Sequence, residues 1–212
     1  MYGTARANGR FTFAVVVFDT LTLGFVTLGF EMVAGRILTP LFGSGIYTWA
    51  TIITMVVAGL MVGYFAGGLA ADRHPSFGLV AIIKLVAGTY LLLVYALSFG
   101  DFEWVFLLSD NDIAALFLAA LVVCFPPLLV LGMFSPLAVR LLLSDPHRAG
   151  RVAGGLFALS SLGNMAGILV TTFLLIPTYG SRAITLSFAL FVLVSSLCSI
   201  LVARSHARAR VV

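Results

Sequence analysis

The stretch Gly59–His74, GLMVGYFAGGLAADRH, decides the fold. Gly59, Gly63 and Gly67 are spaced by four inside an apolar run, so they share one stripe of a helix. That stripe carries no side chains, and a neighbouring backbone can approach it closely, which is how helices pack in lipid. The run stops at Asp72-Arg73-His74-Pro75. Charge returns there and proline breaks the helix, so the chain passes from hydrocarbon to water.

Composition extends this reading to the whole chain. Of 212 residues, 61% are hydrophobic and only 9% are charged, with a mean hydropathy of +1.15, whereas a soluble domain carries about 25% charged residues. This is an integral membrane protein. Its apolar runs leave no room for a soluble catalytic domain of ordinary size, roughly 100 residues or more. Cys124 and Cys198 sit in apolar runs without a His or third Cys nearby, and are expected to be buried, inert thiols rather than a disulfide framework or a metal site. The net charge of +4 comes from cations at helix ends rather than from a basic stripe, so nucleic-acid binding is excluded.

Six apolar runs are expected to form transmembrane helices, over about 11–38, 47–71, 78–99, 113–143, 152–176 and 183–203. The first is too long for the core of a signal peptide and is read as retained. Pro126-Pro127 remove two backbone donors from the fourth, which should kink it toward protein or a cavity. Gly163 and Gly167 give the fifth a second bare stripe. The fold class is therefore all-α, a single six-helix membrane domain over residues 1–212.

An even count puts both termini on one side. Arg6, Arg10, Arg73, Arg140, Arg148, Arg151, Arg204, Arg208 and Arg210 fall on that side, against Arg36 and Arg182 on the other. The positive-inside bias makes both termini cytoplasmic and places the acidic loop with Asp101, Glu103, Asp110 and Asp112 outside. Tyr47, Trp49, Trp104 and Tyr179 then lie near the outer headgroups, where aromatic rings are favoured. Leu38-Thr39-Pro40-Leu41-Phe42-Gly43-Ser44 and Leu175-Ile176-Pro177-Thr178-Tyr179-Gly180-Ser181 are similar; shared turn chemistry explains the match at least as well as duplication does.

The ionisable or amide groups that stand out within the runs, away from the basic end at Arg140, are Asp19, Glu31, Arg36, Lys84 and Asn164. A lone charge in hydrocarbon costs at least ~2.5–3.5 kcal/mol, so each should face protein, water or the interface. Glu31, Arg36 and Lys84 lie within snorkelling reach of a boundary, and the plain reading sends Lys84 inward to the headgroups and makes Asn164 a helix cross-link. Asp19 lies roughly 13 Å beyond Arg10, near the middle of a ~30 Å core, and requires a partner or a function. The functional reading has Asp19 and Glu31 binding a proton or a cationic solute, with Lys84 or Arg36 as counter-ion when the site is empty. Glu31 and Arg36 stand about 140° apart on a helix and suit partners on other helices. Phosphate cradles, metal-ligand spacings and catalytic triad orders are absent, and His74, His147 and His206 all lie in loops or the tail. The glycine-rich stretch Gly59–Gly68 follows a helix rather than a strand, so it is no dinucleotide loop. No cofactor and no metal is expected.

Gly68-Leu69-Ala70-Ala71-Asp72-Arg73 resembles the first part of the loop motif G-x-x-x-D-R-x-G-R-R between helices two and three of the major facilitator superfamily, and His74-Pro75-Ser76-Phe77 departs from the rest. Six helices resemble one half of that twelve-helix fold. A fuller resemblance is to the membrane region of multispanning spermidine synthase-like proteins. It rests on Glu31 with Arg36, Leu41-Phe42-Gly43-Ser44, the Gly59-to-Arg73 series, Ser135-Pro136-Leu137 with Arg140, Gly150-Arg151 with Gly154 or Gly155, and Gly163, Gly167, Leu175-Ile176-Pro177, Gly180 and Arg182. In those proteins a Rossmann-like aminopropyltransferase domain follows the last helix, whereas this sequence ends at Val212. The resemblance implies an inner-membrane subunit that recruits a soluble aminopropyltransferase-like partner or moves a polyamine-like cation. The alternative is a structural subunit of a larger membrane complex, using the glycine faces of the second and fifth helices to bind partner helices; a second copy of the chain, restoring a twelve-helix transporter, is the remaining partner expected beside the lipid bilayer.

Overall fold

The computed structural model describes residues 2–98, 104–108, 111–143 and 145–209, with side chains from Thr12 to Arg204 apart from those of Trp104 and Leu107. Asp101, Glu103, Asp110 and Arg210, and the side chains of Arg6, Arg10, Trp104, His206 and Arg208, lie outside the described part.

The chain forms α1 (Tyr2–Phe42), α2 (Ile46–Arg73), α3 (Phe77–Leu97), a short α4 (Trp104–Leu108), α5 (Asp112–Val123), α6 (Phe125–Gly132), α7 (Phe134–Leu142), α8 (Ala149–Val170) and α9 (Ile176–Ala209). A 3-10 turn over Pro146–Arg148 precedes α8, and a π-helical turn over Thr171–Leu175 follows it. No strand occurs among the described residues. Ser76 caps α3 by accepting from the Leu79 amide, and Asn111 caps α5 by accepting from the amides of Ile113 and Ala114, so helix entry follows ordinary capping chemistry.

Five helical stretches are long and apolar enough to cross a membrane: Thr12–Phe42, Ile46–Arg73, Phe77–Leu97, Asp112–Leu142 and Pro146–Arg204. Large apolar side chains such as Val57, Met61 and Phe65 on α2 and Phe173 and Leu201 near the C-terminal end point outward, as lipid contact requires. The chain is thus an all-helical, membrane-spanning protein. Several expected boundaries are corrected. The first helix runs from Tyr2 to Phe42 because Pro40 is tolerated within its last turn. The fourth is three consecutive segments, interrupted at Cys124 and Met133.

The fifth and sixth expected helices form one stretch, Pro146–Arg204, of 59 residues. Straight, it would extend ~88 Å, about three times a ~30 Å core. It is not straight: Gly180 has φ 76° and ψ 162°, a conformation that is essentially glycine's alone. The chain reverses there. Gly24 of α1 lies against Ser160 and Asn164, and Gly29 against Thr171, so α1 and α8 run parallel. Asp19 lies beside Ser195, and the Phe25 and Phe188 rings meet edge to face at 6.0 Å, so α9 beyond Gly180 runs against α1.

The glycine stripes are where the helices close. A Cβ at Gly59 would stand 2.8 Å from the Phe125 carbonyl oxygen, and at Gly63 and Gly67 it would collide with the Leu129 and Met133 carbonyls, so α2 lies directly on α6 and the start of α7. Gly163 and Gly167 meet the Leu21 and Phe25 carbonyls of α1 in the same way. Both stripes are therefore occupied within the chain, and a partner helix has to use another surface. The kink at Pro126 frees the Val122 carbonyl, four residues earlier, and the Tyr90 hydroxyl of α3 donates to it at 2.9 Å.

Candidate functional site

Four threonines of α1 show how the helix tolerates polarity in an apolar setting. Thr20, Thr22, Thr27 and Thr39 each donate back to the carbonyl one turn earlier, at 2.6–2.8 Å. Asp19 has no such local solution. Its side chain turns toward α3 and α9, where it is 3% exposed, and pairs with Lys84, which is wholly buried.

The pair is completed by α9. Lys84 Nζ donates to Ser195 Oγ at 2.9 Å and to Ser199 Oγ at 2.8 Å, with the Ser195 carbonyl oxygen at 3.5 Å. Ser195 in turn donates to the other carboxylate oxygen of Asp19 at 3.3 Å, and Ser199 donates to the Ser195 carbonyl at 3.3 Å. An ammonium has three N–H groups, and here they meet one carboxylate and two hydroxyls. The cluster is net neutral, which makes its burial tolerable where either charge alone would not be. Lys84 does not snorkel to the headgroups: its ammonium faces the bundle interior because an acceptor set is waiting there.

Two further contacts bind α3 to α9. Ser196 Oγ donates to the Ala81 carbonyl at 2.8 Å, and Arg182 places two guanidinium donors on the Ser98 carbonyl, at 2.7 and 3.1 Å, closing the C-terminus of α3. The α3–α9 pair and the α1–α8 pair thus each have their own fastening, and the Asp19–Lys84 cluster joins them.

The other candidates are dispersed. Glu31 is half-buried on α1 and Arg36 is exposed, and neither has an ion-pair partner among the described residues. Asp72 and Arg73 are exposed at the end of α2, and Gly68 has open space where a Cβ would stand. Asn164 faces a separate cavity of about 30 Å³, shared with Thr20, Tyr64, Ser135 and Ser160, and its buried Oδ1 has no protein partner. That volume and that set of polar groups suit one water molecule. Cys124 is buried, but Cys198 is exposed on the outer side of α9, contrary to the expectation for a buried thiol. Trp49 packs over Gly35 instead of standing free, while Tyr47 and Tyr179 are exposed.

Ser195, Ser196 and Ser199 were not among the sequence candidates. The signal was present: three hydroxyls at i, i+1 and i+4 in VSSLCSI interrupt an otherwise apolar helix. Comparison of the chain with protein-family models, with curated proteins and with solved structures yields no match.

Proposed function

We propose that this chain is a six-crossing subunit of the cell inner membrane, with both termini cytoplasmic, that carries a proton or a polyamine-like cation within a spermidine synthase-like system. The observation that carries this reading is the buried Asp19–Lys84 pair joining α1 to α3 and α9. Intramembrane ionisable groups facing a bundle interior mark ion and proton pathways. Asp19 is the carboxylate that accepts the proton or the cation, and Lys84 is its built-in counter-ion while the site is empty.

The coupling follows from charge. When Asp19 takes a proton, Lys84 becomes an uncompensated buried cation, held only by the two serine hydroxyls. The strain is relieved by moving the α3–α9 pair relative to the α1–α8 pair. An arriving alkylammonium would compete with Lys84 for the same carboxylate and drive the same motion. The aminopropyltransferase-like partner supplies or consumes the amine on the cytoplasmic side, the side that the Lys/Arg bias favours for both termini.

The test is uptake of labelled spermidine, and acidification, in liposomes containing the purified chain. Asp19→Asn abolishes both while the protein stays folded; wild-type rates in that variant would sink the proposal. The six-crossing arrangement is tested separately by single-cysteine labelling. Positions 44 and 181 should react from one side of the membrane and position 76 from the other.

A second reading has its own support. All three N–H groups of Lys84 already have acceptors, which is also what a static staple requires. In that case the chain is a structural or accessory subunit of a larger membrane complex. A mild-detergent pull-down separates the readings: a large membrane assembly without a soluble aminopropyltransferase-like enzyme favours the second.

A further inference from the structure

At the end of the bundle where α1 and α8 begin, a groove of about 710 Å³ opens between α1, α7 and α8. Its size lies within the roughly 300–1,000 Å³ of sites that enclose small organic ligands. Phe13, Leu142, Leu156 and Leu159 make its walls apolar, and Gly155 leaves one side bare. Among the described residues one charged group lines it, the exposed Arg151, in the first turn of α8. Arg151 has no ion-pair partner among the described residues; its neighbour Arg148 is engaged by Asp145 at 3.6 Å.

We propose that this groove binds an anionic phospholipid, with the phosphate on the Arg151 guanidinium and one acyl chain along the α1–α8 wall. The arrangement matches an amphiphile in both parts and in the right order. The cation stands at the helix start, and the apolar walls continue two turns along α8. A planar guanidinium takes two phosphate oxygens at once, which favours a phosphate over a neutral or purely zwitterionic surface contact. A protein helix would leave Arg151 without a countercharge unless it carried an acid at that level, whereas an anionic lipid brings the charge and the apolar tail together.

The experiment is native mass spectrometry of the purified full chain titrated with phosphatidylglycerol and, separately, phosphatidylcholine. The wild type should bind phosphatidylglycerol about five-fold more tightly, the discrimination one cation provides at an anionic surface. Arg151→Gln should abolish the preference while leaving weak binding of both lipids. Gly155→Leu should weaken both, because Gly155 lines the groove and a Cβ there meets nothing within 4 Å, so an added side chain takes up groove space. Because its Cβ meets no neighbour, the variant is expected to fold, which its unfolding temperature checks. Equal affinity of the wild type for the two lipids, an unchanged preference in Arg151→Gln, or unchanged binding in a folded Gly155→Leu would each overturn the proposal.

Discussion

Breaking the Asp19–Lys84 pair from either side should reveal how strongly it fastens the bundle. In Lys84→Met, the Asp19 carboxylate keeps only the Ser195 hydroxyl, at 3.3 Å, as a donor. Removing one member of a buried pair costs about 3–5 kcal/mol, because the survivor is left charged and unpaired. In Asp19→Asn the ammonium keeps the hydroxyls of Ser195 and Ser199 at 2.9 and 2.8 Å, and the new amide oxygen can still accept. Its loss should fall at the lower end of that range. The double variant buries no charge and loses, with the ion pair itself, mainly packing and the two ammonium–hydroxyl bonds, about 2 kcal/mol or less. The expected order is therefore Lys84→Met worst, Asp19→Asn next, and the double variant mildest. The measurement is a double-mutant cycle on unfolding free energy in lipid bicelles. If the double variant loses the sum of the two single losses, the charges are not coupled and the reasoning fails.

Three further outcomes follow from the same geometry. Tyr90→Phe should cost about 1–3 kcal/mol in unfolding free energy, since it leaves the Pro126-freed Val122 carbonyl without its donor, 2.9 Å away in the native chain; an unchanged stability would mean another group satisfies it. Gly63→Ala should destabilise by roughly 1–3 kcal/mol, because the added methyl strikes the Leu129 carbonyl, whereas Gly68→Ala, which meets nothing within 4 Å, should stay within ~0.5 kcal/mol of the wild type by the same measurement. Ser199→Ala removes one of the three acceptors of Lys84 and should lower stability by about 1.5–3 kcal/mol without blocking labelled-spermidine uptake, which Asp19→Asn abolishes.

The membrane class and some of the helix ends were readable because they rest on local chemistry. Ser76 and Asn111 begin helices where hydroxyl and amide caps are expected, and α2 ends at Arg73, beside the charge that marks the lipid boundary. Asp19 was readable as exceptional because depth follows from counting residues. Its partner was not. Lys84 and Arg36 were equally eligible cations in sequence, and only the packing of α3 against α9 presents Ser195 and Ser199 to Lys84 and removes the reason to snorkel. The segmentation of the expected fourth helix at Cys124 and Met133 was half readable. Pro126-Pro127 announced the first kink, and Pro136, which cannot donate to the Gly132 carbonyl, stands three residues after the second interruption at Met133 without having been read as its cause. Composition also said nothing about Cys198, since an apolar run marks a helix without marking which of its faces meets lipid.

The two similar turns bear on how such a bundle is built. Gly43 and Gly180 share a φ of 76°, and each follows a proline by three residues. Because α1 and α8 run parallel, the two turns lie at the same end of the bundle. An inverted duplication of three helices would instead relate the first helix to the fourth, whose following loops lie at opposite ends. Repetition of that kind therefore cannot place these two motifs in equivalent positions. Turn chemistry can: at both places a long apolar helix must stop and the chain must turn at the surface, and a proline followed by a left-handed glycine does both. The same need, met twice at one end of the bundle, is sufficient to produce the match.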